Sequence, residues 1–291
     1  AYLGGQAVGG AEYDILFGKV NPSAKLPETF PKQLEDNPSY LAGFGEGDHV
    51  EYREGIFVGY RYYDKKKMDV LFPFGYGLSY TTFAYSNLRL DKKTMKDTEE
   101  LTVSVDVTNT GDRAGKEVVQ LYVADKESTV IRPVKELRDF VKIELAPGET
   151  KTVTFTLGKR AFAYYDVQIH DWQVETGEFE ILIGASSRDI ALRDTVTVES
   201  TVKIPFHYTT DTTMGDIMSR PEAWKLVQSV LSKGMFGQGS EGGDAAKEAI
   251  SDEMNAAMLQ YMPLRGPVSF GGGVSMADVQ KLVDRLNAME K

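Results

Sequence analysis

The sequence predicts a mainly β protein in which a two-layer β-sandwich is preceded by a loop-rich segment and followed by α-helices. Two observations predict this fold class. Hydrophobic residues alternate with polar ones from about residue 81 to residue 200, and beyond residue 200 they recur at helical spacing. The chain has 291 residues, of which 42% are hydrophobic, so it can form two or more compact units. We place the divisions at 1–80, 81–200 and 201–291.

The central segment carries the strand pattern. In four stretches apolar residues recur at every second position, mostly between polar ones: 101–107, 119–123, 153–157 and 179–183. Turn signals lie between them at 109–112, 147–149 and 176–177. About seven such strands over about 115 residues, without cysteine, fit an immunoglobulin-like sandwich of the fibronectin type III kind.

Residues 1–80 are rich in glycine, proline and aromatic residues. One short helix is predicted at about 11–17, because Gly18 permits a left-handed cap and Pro22 prevents continuation. The remainder reads as loops and short strands, including a strand over 54–64, that bury little by themselves. We therefore expect this segment to need partners to complete its core.

The hydrophobic pattern of residues 201–291 predicts three helices. The first begins with a capping box at Ser219 and Glu222 and ends at Gly234, and the second runs from about 244 to 262 before Pro263. The third follows Ser275. The apolar faces are predicted from these residues: Trp224, Val227, Val230 and Leu231; then Ile250, Met254, Met258 and Tyr261; then Val279, Leu282, Val283 and Leu286. The glycine-rich stretch 234–243 is predicted to be mobile, and 271–273 to be a turn.

Composition argues against several classes of function. The formal net charge is -10 and no basic run is present, so nucleic acid is not an expected partner. No apolar run approaches the roughly 18 residues that span a bilayer, so no membrane contact is expected. Without cysteine, and with three scattered histidines, no metal or cofactor is expected. The absence of cysteine favours the cytoplasm, with secretion left open.

The segment 51–64 concentrates the candidate binding residues. Carboxylates and arginine hydrogen-bond vicinal hydroxyls, and aromatic faces cover the C–H faces of a pyranose. We therefore name Tyr52, Glu54, Arg61 and Asp64 as candidate sugar-binding residues. In the alternative interpretation, Arg61 and Asp64 form a buried structural pair and the tyrosines fill the interface to the sandwich.

No catalytic residue is predicted. Glu51 and Glu54 could be considered as an acid/base pair, but sequence spacing does not establish the roughly 5–5.5 Å separation that a retaining glycosidase requires. Nucleophile elbows, phosphate-binding loops and zinc-helix motifs are absent from the sequence.

Three spaced segments, 21–31, 54–64 and 71–80, together resemble the C-terminal third of family 3 glycoside hydrolases, the β-glucosidase family. The resemblance runs nearly continuously from residue 1 to about 200. Further matching stretches are 5–10, 133–140 and 145–150. The family often has Gly and Arg where this chain has Ala24 and Lys25, a difference that we expect to affect loop geometry more than activity.

The resemblance implies a parent enzyme with a (β/α) barrel, an α/β sandwich and a fibronectin-like domain. An Asp on the barrel and a Glu on the α/β sandwich would perform a retaining, two-step hydrolysis. Neither matches a position here, so both should lie upstream of residue 1. Asp171-Trp172 looks like the family's Ser-Asp-Trp nucleophile motif, but it lies among late strands of the sandwich, where Trp172 reads as a core residue.

By this resemblance, residues 1–80 are the tail of the α/β sandwich domain and 201–291 are a helical extension. The chain would be the non-catalytic C-terminal portion of an exo-acting glycosidase for terminal β-D-glucosyl residues, with xyloside, arabinoside and N-acetylglucosaminide as open alternatives. Its expected partners are the barrel, the rest of the α/β sandwich and an oligosaccharide or β-glucoside. The alternative hypothesis is a stand-alone accessory module that binds carbohydrate or braces a partner domain.

Overall fold

The computed structural model describes residues 2–41, 45, 47–234, 257, 259–269 and 274–290. The chain forms two compact units, Ala1–Val202 and Lys203–Lys291, and each is described by itself. The mainly β fold class with C-terminal helices is confirmed.

The first part of unit 1 is mostly irregular. It holds helix α1 (Val8–Leu16), a 3₁₀ turn (Leu34–Asp36), helix α2 (Tyr60–Lys65) and an isolated antiparallel bridge between Phe30 and Phe72. The predicted helix before Gly18 is confirmed, and Gly18 has a φ of 71°, in the left-handed region that favours glycine. None of the side chains of α1 is buried.

The strand predicted over 54–64 is wrong. The chain makes turns and then enters α2, with Gly59 at a φ of 57° and ψ of −133°, a conformation that other residues rarely adopt. Tyr60 and Tyr63 are three residues apart, so they share one helix face, and both are buried. The alternation of glycine and aromatic residues imitated the period of a strand.

The sandwich consists of a three-stranded and a five-stranded sheet. The strands are β1 (Phe83–Leu90), β2 (Thr94–Lys96), β3 (Leu101–Asn109), β4 (Gly115–Asp125), β5 (Glu136–Leu145), β6 (Thr150–Leu157), β7 (Tyr164–Asp166), β8 (Asp171–Gln173), β9 (Gly177–Gly184) and β10 (Ile190–Glu199). The first sheet has the order β1-β3-β6 and the second the order β2-β10-β9-β4-β5, in which β2 and β10 are parallel and the other pairs antiparallel. A two-stranded hairpin, β7-β8, follows a 3₁₀ turn at Lys159–Ala161.

The core lies between the two sheets. All four predicted alternating stretches are confirmed, since their apolar residues are buried and interdigitate from both layers. Within one sheet, Val103 lies opposite Phe155, and within the other, Leu121 lies opposite Ile183. Trp172, predicted as a core residue, is half-buried on β8 and packs against the edge of the core.

Unit 2 is helical in its described residues. Helix α3 (Met214–Met218) is followed by α4 (Pro221–Gly234), a short α5 (Gly266–Ser269) and α6 (Met276–Met289). The predicted third helix is confirmed, with a capping box at Ser275 and Asp278. Its four predicted apolar residues are buried against a core made by Tyr208, Met214, Ile217, Ala223, Val227 and Leu264.

Two predictions in unit 2 are wrong. The Ser219 hydroxyl ends α3 by donating to the carbonyl of Asp216 (2.7 Å), and the capping box is formed earlier, by Thr213 and Asp216. Tyr261, predicted to face inward, is exposed. The other apolar residues predicted for the second helix, the mobile stretch beyond residue 234 and the turn at 271–273 lie outside the described residues, as do the side chains of Val230 and Leu231.

Candidate functional site

Asp64 joins α2 to the sandwich. Its Oδ2 accepts a hydrogen bond from Lys135 Nζ (2.6 Å), and its Oδ1 accepts one from Arg188 Nε (3.0 Å). Arg188 also donates to the carbonyl of Met68 (2.7 Å), just after the helix. Each oxygen of Asp64 therefore has a cationic partner on the sandwich. The side chain is also buried, with 8% of it exposed.

Arg61 lies one turn away and has a different partner. Its Nη2 is 3.4 Å from Glu136 Oε1 on β5, and its guanidinium lies beside the Tyr60 ring. The sequence-based alternative of a mutual pair between Arg61 and Asp64 is therefore replaced by two separate links from one helix to the sandwich.

Tyr60 completes this attachment through packing and a hydrogen bond. The ring stacks on Phe74 at a centroid distance of 4.8 Å and meets Tyr122 edge-on at 6.0 Å. Its hydroxyl accepts from the backbone N–H of Leu137 (2.7 Å). Burial raises the pKa of Tyr60 above its ordinary value, and the Leu137 bond opposes that rise. The phenol thus remains neutral at physiological pH, as suits a packed aromatic anchor.

The other two candidate residues lie on the preceding loop. Tyr52 is 82% exposed and Glu54 is half-buried. Nearby, Arg53 forms an ion pair with Glu51, one of the two glutamates considered as an acid/base pair. The structure therefore brings Arg61 and Asp64 to the sandwich and leaves Tyr52 and Glu54 on an open loop.

Sequence reasoning missed a second polar group on the sandwich. Arg132, Glu136 and Arg138 lie on β5 and the loop before it, next to the β7-β8 hairpin, and they border a pocket of about 590 Å³. Arg132 is buried, and its Nη1 donates to Asp125 Oδ2 (2.8 Å) and to the carbonyl of Phe162 (3.0 Å). The sequence signal was local, since two basic residues, Arg132 and Arg138, flank the acidic Glu136.

Burial raises the pKa of Asp125, and the adjacent Arg132 opposes that rise. Arg132 Nη1 lies 2.8 Å from Asp125 Oδ2 and both side chains are buried, so the two form a structural ion pair. Asp171, from the apparent nucleophile motif, accepts a hydrogen bond from the N–H of Trp172 (2.7 Å) on the hairpin. In the described part of the chain, no group of three or more His, Cys, Asp or Glu residues could hold a metal ion, and no helix is long and apolar enough to cross a membrane.

Apolar exposure differs sharply along unit 1. Among described residues 2–80, seventeen large hydrophobic side chains are exposed and two, Tyr60 and Tyr63, are buried. On α1 and its C-cap, Leu16 and Phe17 are 76% and 71% exposed. An apolar surface of this extent is characteristic of an interaction site.

Comparison with known proteins identifies the family. Residues 1–80 match the glycosyl hydrolase family 3 C-terminal domain, and residues 117–187 match the fibronectin type III-like domain. The chain is 54% identical over its whole length to thermostable beta-glucosidase B of Acetivibrio thermocellus. The chain belongs to glycoside hydrolase family 3.

Two further relatives agree with the family 3 assignment. The exo-alpha-(1->6)-L-arabinopyranosidase of Bifidobacterium breve is 41% identical over the whole chain. The crystal structure of a family 3 beta-glucosidase from Bifidobacterium adolescentis covers 77% of the chain at 43% identity, with a TM-score of 0.68. The chain spans 38% of the Acetivibrio protein, 37% of the arabinopyranosidase and 32% of the solved chain. The resemblance noted from the sequence motifs is confirmed, and the chain is a C-terminal family 3 portion.

Proposed function

We propose that this family 3 chain is the non-catalytic C-terminal portion of a retaining, exo-acting glycosidase that removes terminal β-D-glucosyl or related residues. Similarity to proteins named as beta-glucosidases supports glucose as the first sugar to test. The relative named as an arabinopyranosidase keeps a pentopyranoside among the alternatives. The proposed reaction uses two carboxyl groups and water, so it requires no cofactor.

The observation that carries this proposal is the apolar surface of residues 2–80. A segment with seventeen exposed large hydrophobic side chains and two buried ones has not completed a core of its own. In the proposal, the barrel and the remainder of the α/β sandwich domain cover this surface and supply the Asp nucleophile and the Glu acid/base. The proposed compartment is the cytoplasm.

Tyr52, Glu54, Arg61 and Asp64 are the proposed sugar contacts of this chain. Tyr52 and Glu54 are free to reach the rim of a sugar site, because the loop that carries them is open. Arg61 and Asp64 can offer only the hydrogen-bonding capacity that Glu136, Lys135 and Arg188 do not use. Their main proposed role is to hold α2, and with it this loop, against the sandwich.

One observation favours the alternative of a domain-bracing module. Asp64 accepts hydrogen bonds from both Lys135 and Arg188, so the tail of the α/β segment is fastened to the fibronectin-like sandwich. A brace of this kind is compatible with the glycosidase proposal, since it would set the orientation of the loop with Tyr52 and Glu54.

Catalysis gives the first test. The purified chain should not hydrolyse 4-nitrophenyl β-D-glucopyranoside, whereas the parent polypeptide with its upstream residues should. Turnover by the purified chain that Glu54→Ala abolishes would show that the chain carries its own catalytic carboxylate and would overturn the proposal. A parent polypeptide that is inactive on glucosides, xylosides and arabinosides alike would also overturn it.

Two matched phenylalanines test the covered surface. Phe17 lies in the apolar surface of residues 2–80, and Phe140 is a similarly exposed phenylalanine on β5. In the parent polypeptide, Phe17→Ser should lower the melting temperature by several degrees, because it would place a hydroxyl in a buried interface. Phe140→Ser should have little effect there. Equal, small effects of both substitutions would contradict a covered surface at α1.

A further inference from the structure

The pocket beside the β7-β8 hairpin carries features of a ligand site that the family assignment does not explain. It is formed within unit 1 by the hairpin, the loop before β5 and the start of α2. Its volume of about 590 Å³ lies in the range that holds small-molecule ligands. Arginine and aromatic side chains are among the residues that line it.

The pocket has an excess of positive charge. Four arginines border it but only two carboxylates do. One of these, Glu136, is shared by three guanidinium groups: Arg138 Nη2 at 2.6 Å, Arg61 Nη2 at 3.4 Å and Arg132 Nη2 at 3.5 Å. Asp125 pairs with Arg132 at 2.8 Å. Among the described residues, these three guanidinium groups therefore have two carboxylate partners, Glu136 and Asp125.

Two buried donors in this cluster have no acceptor. The Nε atoms of Arg61 and Arg138 are inaccessible to solvent and make no hydrogen bond to any residue that the structure describes. A buried guanidinium N–H without an acceptor is costly, so both arginines are incompletely satisfied. A ligand would be recognised by their other N–H groups, since the Arg61 and Arg138 side chains are 34% and 17% exposed. Burial lowers the pKa of Arg138, Glu136 opposes the change, and Arg132 and Arg61 add to it. A further negative charge would relieve this repulsion.

The walls supply flat apolar surface. Tyr165 on β7 is half-exposed and meets Trp172 on β8 edge-on, with ring centroids 5.5 Å apart. The guanidinium of Arg160 lies 3.4 Å from the centroid of the Trp172 ring, a cation–π contact between two residues that border the pocket. Tyr164 completes the aromatic side of the pocket. Rings of this kind pack against the C–H faces of a pyranose, while the arginines suit a carboxylate.

We propose that this pocket binds the carboxylate of a sugar acid, as in a hexuronic acid at the end of a saccharide. The carboxylate accepts hydrogen bonds from the cluster of Arg61 and Arg138, and the pyranose ring packs against Tyr165 beside Trp172. The proposal does not depend on the glycosidase assignment, because every residue of the pocket belongs to this chain.

A matched pair of ligands tests it. Methyl β-D-glucuronide and methyl β-D-glucoside differ only at C6, a carboxylate in the first and a hydroxymethyl group in the second. Isothermal titration of the purified chain should give a dissociation constant for the glucuronide at least about tenfold below that for the glucoside, since a charged hydrogen-bonded group is gained. Added salt should weaken binding of the glucuronide and leave binding of the glucoside unchanged. Equal affinities, or no binding of the glucuronide, would overturn the proposal.

Acetate, which has a carboxylate but no sugar ring, tests whether the charge alone accounts for binding. It should bind at least about tenfold more weakly than the glucuronide, because it lacks a ring to cover the tyrosine. Equal binding of acetate would show an anion site without sugar recognition and would overturn the proposed ligand class.

Variants locate the binding. Arg138→Gln and Tyr165→Ala should each weaken glucuronide binding about tenfold or more, whereas Arg193→Gln, an exposed arginine on β10, should leave it unchanged. A thermal unfolding transition shows whether each variant is folded. If Arg138→Gln does not fold, Tyr165→Ala carries the test at a half-exposed position. Unchanged binding in folded Tyr165→Ala would overturn the location. Arg61 belongs to both proposed sites and is therefore not substituted, whereas neither Arg138 nor Tyr165 belongs to the proposed glycosidase contacts, so the two proposals fail separately.

Discussion

Residues 2–80 and the sandwich of residues 83–199 are joined in one unit, yet they differ in what holds them together. The sandwich buries a continuous apolar core between two sheets, whereas the preceding segment buries two large hydrophobic side chains and exposes seventeen among its described residues. It is attached to the sandwich through α2, by Tyr60, Asp64 and Arg61, and also by a largely buried ion pair between Lys25 and Glu117 on β4. The sandwich is therefore stabilised from within, whereas residues 2–80 are stabilised by contacts with other surfaces.

The largest expected effect comes from the sandwich core. Phe155 is 2% exposed and Phe17 is 71% exposed. In the isolated chain, Phe155→Ala should lower the free energy of unfolding by about 3–5 kcal/mol, because it removes packing and leaves a cavity. Phe17→Ala should change it by about 0.5 kcal/mol or less. Calorimetric unfolding measures both. A cost for Phe17→Ala as large as for Phe155→Ala would remove the contrast between the two regions.

An intermediate effect is expected at the link between the regions. Asp64→Asn leaves Lys135 and Arg188 without their carboxylate, and breaking a pair that is this buried costs about 3 kcal/mol or more. The cost should appear locally, as an approximately hundredfold faster exchange of the Met68 amide, which donates to the Tyr63 carbonyl at the end of α2. The sandwich amides should keep their protection.

Asp69→Asn is the matched control for this substitution. Asp69 pairs with Lys32 on an exposed surface, so its loss should change stability by about 0.5 kcal/mol or less. If Asp64→Asn affects exchange no more than Asp69→Asn does, the link is held by Tyr60 and its apolar neighbours and the ion pairs are dispensable.

The sandwich could be predicted from the sequence and the link could not, for a physical reason. A strand's alternation is local, so the stretch 101–107 shows its buried face in consecutive residues. The partners of Asp64 are 71 and 124 residues away, and nothing in the neighbourhood of Asp64 identifies them. The same limitation explains α2, where the spacing of Tyr60 and Tyr63 is helical but the glycines around them imitate a strand.

The arginine pocket could be predicted from the sequence only in part. Arg132, Glu136 and Arg138 are close in sequence, and two basic residues that flank one acidic residue already suggest a shared carboxylate. The sequence could not reveal that Arg61 would join them from another segment, or that the β7-β8 hairpin would bring Tyr165 alongside. The pocket, like the link at Asp64, is formed by residues that are far apart in the sequence.

The smallest expected effect concerns acid stability in the sandwich. Asp106 on β3 accepts hydrogen bonds from Thr152 on β6 and from Asn87 and Arg89 on β1, and so ties three strands together. The Thr152 bond, then the Asn87 bond, and the Arg89 charge hold the pKa of Asp106 below its usual 3.8. A lowered pKa in the folded state means that this stabilisation is present above about pH 3.8 and is lost as the pH falls through the folded value.

Asp106→Asn should therefore destabilise the sandwich at neutral pH, and the difference from the unsubstituted chain should shrink as the pH falls below 3.8. Denaturant unfolding at a series of pH values measures this difference. Asp69→Asn, outside the sandwich, should leave the sandwich transition unchanged across the series, because its ion pair lies within residues 2–80. A difference for Asp106→Asn that stays constant down to low pH would mean that the carboxylate's charge contributes nothing, and that the strands are tied by neutral hydrogen bonds alone.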